Sequence, residues 1–276
     1  MQSFEHSKFY SFRVDANALG GFLEEPHRKI IPAVAPVSLP AVGGFATARS
    51  AAFNHHEIVS CSAAYTRVSG AEHHPDGSIS ILATAVVEGL NLLEVVTAER
   101  IVAQVSISIP NGRGAPQISL AGTRFEGLRL AGCVSDPVLN PMLVPCGDQG
   151  DHAVPLTWEA IQGVGRSQTK ALAERFKSHP DKEAVKWAQR RQDWMAADQL
   201  PENGGRLLCS VVDGFGDEDS CGHIVDIPGF GRIFFGELRV SYESVQLVAV
   251  RAELGCPVKG KISIGAVGGG GSGDKS

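Results

Sequence analysis

Apolar and polar residues alternate with period two over long stretches of the chain. From Ser78 the odd positions Ile79, Ile81, Ala83, Ala85 and Val87 are apolar, with Ser80, Thr84 and Glu88 between them; Leu82 and Val86 interrupt the polar side. Ile101, Ala103, Val105, Ile107 and Ile109 repeat the pattern against Gln104, Ser106 and Ser108. Such alternation turns one side of a β-strand toward a core and the other toward water or a second layer. Pro110-Asn111-Gly112 follows with turn chemistry. Further strands are predicted over 9–14, 57–68, 117–120, 127–130, 206–212, 232–240, 245–253 and 261–264. His73-His74-Pro75-Asp76-Gly77 lies between two long strands, where Asp-Gly predicts a hairpin loop, and 241–244 joins two more in the same way. Many strands closely joined by Gly/Pro turns predict a mainly β protein, an antiparallel sandwich, barrel or roll.

Two regions break this pattern. Residues 30–44 carry Pro32, Pro36 and Pro40, which favour extended backbone and predict a strap over the body. In 157–200, Ala184, Trp187, Ala188, Arg191, Trp194 and Met195 recur at helical spacing, and Pro180 suits a first turn. An earlier helix is predicted over 158–177, weakened by Gly163 and Gly165. Together they predict a helical hairpin inserted into the β scaffold, its three tryptophans packing it against the sheet. The expected organisation is an N-terminal strand region (1–29), a Pro-rich strap (30–44), the first part of the β body (45–156), the helical insert (157–200), the second part of the body (201–266) and a flexible Gly/Ser-rich tail (267–276).

The 276 residues suit one large domain, or one with a small appendage, able to build a core without staples. A net charge of −5 argues against nucleic-acid binding, which needs a clustered positive field. The densest basic run, Lys182 to Arg191, is interrupted by Glu183 and reads as a solvated helix face. Cys61, Cys133, Cys146, Cys209, Cys221 and Cys256 form no Cys-x-x-Cys pair, and Cys61 and Cys209 sit in apolar runs as small buried thiols. The start MQSFEHSKFY shows no secretory pattern, and no run approaches the about 20 apolar residues of a membrane helix. A cytoplasmic location is expected, with a surface or exported one left open.

Gly255 to Lys261 has the glycine and lysine spacing of a phosphate loop, but Ile262 replaces the Ser/Thr and KISIG reads as a strand; a turn between strands is expected. Asp213 to Gly222 resembles a calcium loop until Cys221 and Pro228 occupy ligand positions, so an acidic hairpin tip is expected. Neither Gly-x-Ser-x-Gly nor His-Glu-x-x-His occurs. His55-His56-Glu57 precedes a strand and His73-His74 follows it. Straight-chain counting separates the two pairs by roughly 50 Å unless the strand bends. Asp151-His152, and Asp226 near His223, are further candidates.

Val87-Glu-Gly-Leu-Asn-Leu-Leu, Val96 to Ser106, Gly122 to Gly132, Gly222 to Leu238 and Leu254 to Gly260 resemble a group of uncharacterised bacterial β-rich proteins, across about Pro40 to Ile264. The middle segments also look like a repeat style of anchored bacterial surface proteins. The resemblance implies a β-rich scaffold and brings no catalytic residue. Phe125, Phe234 and Phe235 are expected core anchors, and Glu99/Arg100 or Arg124/Glu126 could form an internal ion pair or part of a cleft, with solvent-facing residues as the simpler reading.

Three functions are weighed. The first is a non-catalytic binding, assembly or structural protein, with a homo-oligomer or protein partner and no cofactor. The second is a carrier of a small hydrophobic ligand between sheets. The third is a metal-assisted enzyme in which His55, His56, His73 and His74 hold a divalent metal, with Glu57, Asp226 and His223 as further loop candidates.

Overall fold

The two strongest alternating segments pair with each other, Ser78–Leu92 against Val96–Ile109, and form the centre of one sheet. A computed structural model describes residues 10–110, 116–145, 156–177, 201, 205–215, 222–255 and 257–273. One sheet contains β1 (Tyr10–Phe12), β2 (Asp15–Glu25), β3 (Lys29–Val34), β4 (Val37–Ser38), β16 (Leu207–Ser210), β18 (Ile224–Ile227), β19 (Gly231–Val240), β20 (Ser244–Leu254) and β21 (Lys259–Gly273). Its main path runs β16-β19-β20-β21-β2-β3, with β1 on β21, β18 on β19 and β4 on β2. The other contains β5 (Gly44–Ser50), β6 (Phe53–His55), β7 (Val59–Cys61), β8 (Ala63–His73), β9 (Ser78–Leu92), β10 (Val96–Ile109), β11 (Gln117–Ser119), β12 (Arg124–Glu126), β13 (Arg129–Leu130) and β14 (Cys133–Val134). There β9 lies between β10 and β8, and β5 adds to β8. β15 (Pro137–Leu139) and β17 (Val212–Phe215) form a separate pair, and α1 (Trp158–Lys177) lies against β16. Among the described residues every strand pairing is antiparallel, and the sheets do not close into a barrel.

The long strands share one irregularity. β20 buries Val245, Leu247 and Ala249, then changes phase to Val250, Ala252 and Leu254. β19 contributes Ile233 and Phe235 to the core, then Leu238 and Val240; β21 contributes Ile262 and Ile264, then Val267; β2 contributes Ala16 and Ala18, then Leu19 and Leu23. The pairing registers place Gly236, Ala249, Gly265 and Ala18 side by side at the change. Gly236 and Gly265 have φ of +61° and +63°. A residue in that region inserts one position without advancing the pleat, so the strand afterwards presents its other face. Because neighbouring strands switch together, pairing resumes in step on the far side.

The facing sheet has the same device. β9 buries odd positions up to Val87 and then Leu90 and Leu92, while β10 buries Val96 and Ala98 and then Ile101, Ala103, Val105 and Ile107. Gly89 and Gly127 flank Glu99 at that row, with φ of +58° and +60°. This explains why strict alternation breaks within the longest segments.

Residues 267–273 of the Gly-rich end do not form a flexible tail. β21 runs to Gly273 and pairs with β20, β2 and β1. A methyl group on Gly269 would sit 2.9 Å from Ile81 Cγ2 and 3.1 Å from Ile107 Cδ1 of the facing sheet. The glycine tract therefore permits close sheet packing, a property that linker-like composition conceals.

The Pro-rich strap is also corrected in part. Lys29–Val34 and Val37–Ser38 pair with β2, whereas the following residues cross to β5 on the other sheet. Pro32 is tolerated because β3 is an edge strand. The first predicted helix is α1; the second, with Trp187 and Trp194, lies outside the described residues. Trp158 is buried and its ring approaches Tyr242, which fits packing of the insert on the sheet. Phe234 and Phe235 are fully buried and Phe125 partly, edge-on to Phe235.

Replacing Gly269 with Val should destabilise the fold by about 1–3 kcal/mol through overpacking. Urea unfolding checks this, and removal of 267–276 should abolish the cooperative transition that loss of a free tail would spare.

Candidate functional site

α1 starts where Thr157 Oγ1 accepts from the Ala160 N–H at 3.3 Å, satisfying one of the unpaired amides of the first turn. Ile161, Val164, Gln168 and Leu172 recur at helical spacing and are buried. Gly165 allows the close approach, since a methyl group there would lie 2.8 Å from the Leu208 carbonyl oxygen. The glycine that weakens helix propensity therefore seats the helix on β16.

Gln168 occupies the centre of this contact. Its Oε1 accepts from Ser210 N at 2.8 Å, and its Nε2 donates to Ser210 O at 2.8 Å. One side chain thus imitates a neighbouring strand at the edge of β16. The same Nε2 lies 2.9 Å from Asp213 Oδ1. Asn140 Nδ2 donates to both oxygens of Asp213, at 3.1 and 2.9 Å, while Asn140 Oδ1 accepts from the Met142 and Leu143 amides. Asp213 is exposed, yet two amides from separate elements fix its carboxylate.

This carboxylate borders a cleft of about 490 Å³ between α1, the 140–142 turn and β17. Val164, Leu172 and Met142 supply apolar lining; Ser167, Gln168 and His223 supply polar groups. His223 is 1% exposed, and its carbonyl accepts from the Phe235 amide at 2.9 Å. Beneath the site, burial and then the Asp213 charge push the Cys209 thiol up to about 12, leaving a protonated thiol.

The four histidines named for a metal do not converge. Val59 of β7 pairs with Leu92 at one end of β9, and β6 carries His55 opposite Val59; His73 pairs with Ser78 at the other end. His55 and His56 rings meet edge to face at 4.6 Å, and Lys29 Nζ lies 3.2 Å from His56 Nε2, which therefore accepts. His73 Nε2 bonds Ser80 Oγ at 2.8 Å, and His74 lies in the hairpin turn. Among the described residues no group of three or more His, Cys, Asp or Glu is placed to hold a metal. Glu57 lies in the turn after His55, and Asp226 is engaged by Arg232 at 2.6 and 3.3 Å. Asp151-His152 and the 217–221 acidic stretch lie outside the described residues. Lys259 and Lys261, from the phosphate-loop spacing, lie on strand β21, where they meet Glu25 and Glu253.

The internal ion pair is neither of the two weighed from the sequence, for which solvent-facing residues are the simpler reading. Arg100 donates to Tyr65 Oη at 2.7 Å, and Arg124–Glu126 is exposed. Glu237, 1% exposed, instead receives Arg251 bidentately at 2.5 and 2.9 Å. Arg251 also bonds Glu253 and lies 3.7 Å from the Phe234 ring centroid. A glutamate inside the apolar run Phe234-Phe235-Gly236-Glu237-Leu238 was its only sequence signal. Asn140 and Gln168 carried none, and Asp213 appeared only as the first residue of the calcium-like stretch, because the three come from separated segments.

Residues 9–241 match a family described as a domain of unknown function (DUF8256). The chain belongs to this family. The DUF8256 match ends before β20 and β21, although both complete the first sheet. No curated protein and no solved structure matches. Among the described residues no helix is long and apolar enough to cross a membrane.

Gln168→Leu should cost about 2 kcal/mol or more by stranding the buried Ser210 N–H and C=O, measurable as a lower urea midpoint. His55 gives a pH dependence. Desolvation, then His56 and Lys29, hold its imidazole below the ordinary value of 6.5, and Nε2 is buried without a partner. The fold favours the neutral ring, so this contribution is complete above the unfolded value and is lost as pH falls through the folded one. Stability should decline as pH falls below about 6.5, and His55→Gln should flatten that decline in denaturation midpoints.

Proposed function

We propose that the protein is a non-catalytic binding protein whose ligand presents a cationic group to Asp213 in the cleft beside α1. The observation that carries this reading is an exposed carboxylate already fixed by Asn140 and Gln168. Asp213 is the one acidic or basic side chain, histidine aside, among the described cleft-lining residues. Fixing it before ligand arrives lowers the ordering cost of binding. Oδ2 accepts one of these bonds, so it retains capacity for a guanidinium or ammonium donor. Val164, Leu172 and Met142 suit an aliphatic stem attached to that group.

Ser167, His223 and Asp213 share the cleft, and they are the residue types of an acyl-transfer triad. In such a triad the aspartate holds the imidazole N–H. Here the bonds to Asp213 come from Asn140 and Gln168, which favours a recognition role. A hydrophobic ligand between the sheets is disfavoured around Gly269, where Ile81 and Ile107 occupy the space.

Agmatine, a guanidinium on an aliphatic stem, should bind in isothermal titration calorimetry. Asp213→Asn should weaken it at least about tenfold, or ~1.4 kcal/mol. Equal affinity in the variant, or no binding of agmatine, arginine amide and lysine amide, overturns the assignment.

A further inference from the structure

Open sheet edges expose unpaired backbone groups, and most edges of this protein are blunted. The edge of β16 is covered by α1, with Gln168 occupying the Ser210 backbone groups. β3 carries Pro32, which offers no N–H. At the ends of the other sheet's main path, β14 and β6 span two and three residues. β5 differs. It has seven residues, GFATARS, without proline, and among the described residues it pairs only with β8.

We infer that β5 is the site at which a second copy of this chain adds antiparallel, joining the two sheets edge to edge about a two-fold axis through Thr47. This assembly surface is separate from the cleft beside α1. The sequence of β5 is complementary to its own reverse in this register. Phe45, Thr47 and Arg49 share the exposed face, while Ala46 and Ala48 pack partly against the core. With Thr47 opposite Thr47, Phe45 falls opposite Arg49 of the second copy. The strand's one cation therefore meets an aromatic ring instead of its own counterpart. Phe45 already accepts a cation from its own sheet, since the Arg67 guanidinium lies 5.0 Å from its ring centroid. The ring remains 59% exposed, leaving surface for a second contact. Ala46 falls opposite Ala48, so small side chains meet on the inner face. A two-fold contact satisfies both edges at once and closes the assembly as a dimer.

The position of Thr47 on the axis supplies the test. Sedimentation of the full chain over a concentration series should show a reversible monomer–dimer equilibrium. Thr47→Glu and Thr47→Lys each place like charges opposite one another and should weaken dimerisation at least about tenfold. Mixing the two variants should restore a mixed dimer, because the charges then complement. Thr47 is exposed; unchanged circular dichroism and urea midpoints establish that both variants fold. Wild-type protein that stays monomeric at every concentration overturns the proposal. So does a dimer indifferent to both substitutions, or variants that fail to recover in the mixture.

Discussion

Close packing of β21 against the facing β9–β10 hairpin is the constraint around which the molecule is arranged. Gly269 lies where Ile81 and Ile107 leave no space for a methyl group, and Gly265 faces Ala103 and Ile101. The strand that completes the first sheet is thus defined partly by what it lacks. Side-chain burial comes from β9 and β10, while β21 supplies backbone and shape. This division of labour places a glycine tract, entropically costly to order, between partners that secure it on both sides.

The two glycine-bearing rows are the second consequence of that arrangement. Gly236–Ala249–Gly265–Ala18 crosses one sheet, and Gly89–Glu99–Gly127 crosses the other. At each row the strands exchange inward and outward faces while retaining register. Long strands can therefore bend with the body and still bury apolar residues on both sides of the bend. Glu237 follows the first row directly, and the change of phase turns it away from the core toward Arg251 and Phe234. The buried ion pair belongs to the geometry of the switch.

Edges and cleft are related through one residue. Gln168 closes the edge of β16 and helps fix Asp213 beside the cleft. Stability of the helix contact and readiness of the carboxylate are therefore coupled. The protection at β16 contrasts with β5, whose exposed face combines an aromatic, a hydroxyl and a cation.

The sequence alone determined the mainly β class, the antiparallel pairing of its alternating segments, the hairpin at His73–Gly77 and the helix at 158–177, because these depend on local periodicity and turn chemistry. It also located Cys61 and Cys209 as buried thiols. Only tertiary structure decided the role of the Gly-rich end: glycine leaves no hydrophobic pattern, so a linker and a tightly packed strand have the same composition. Tertiary contacts also separated the histidine pairs to opposite ends of β9 and gathered Asn140, Gln168 and Asp213 into one cleft. Distance along a chain bounds how far residues can separate, but packing chooses which distant side chains meet.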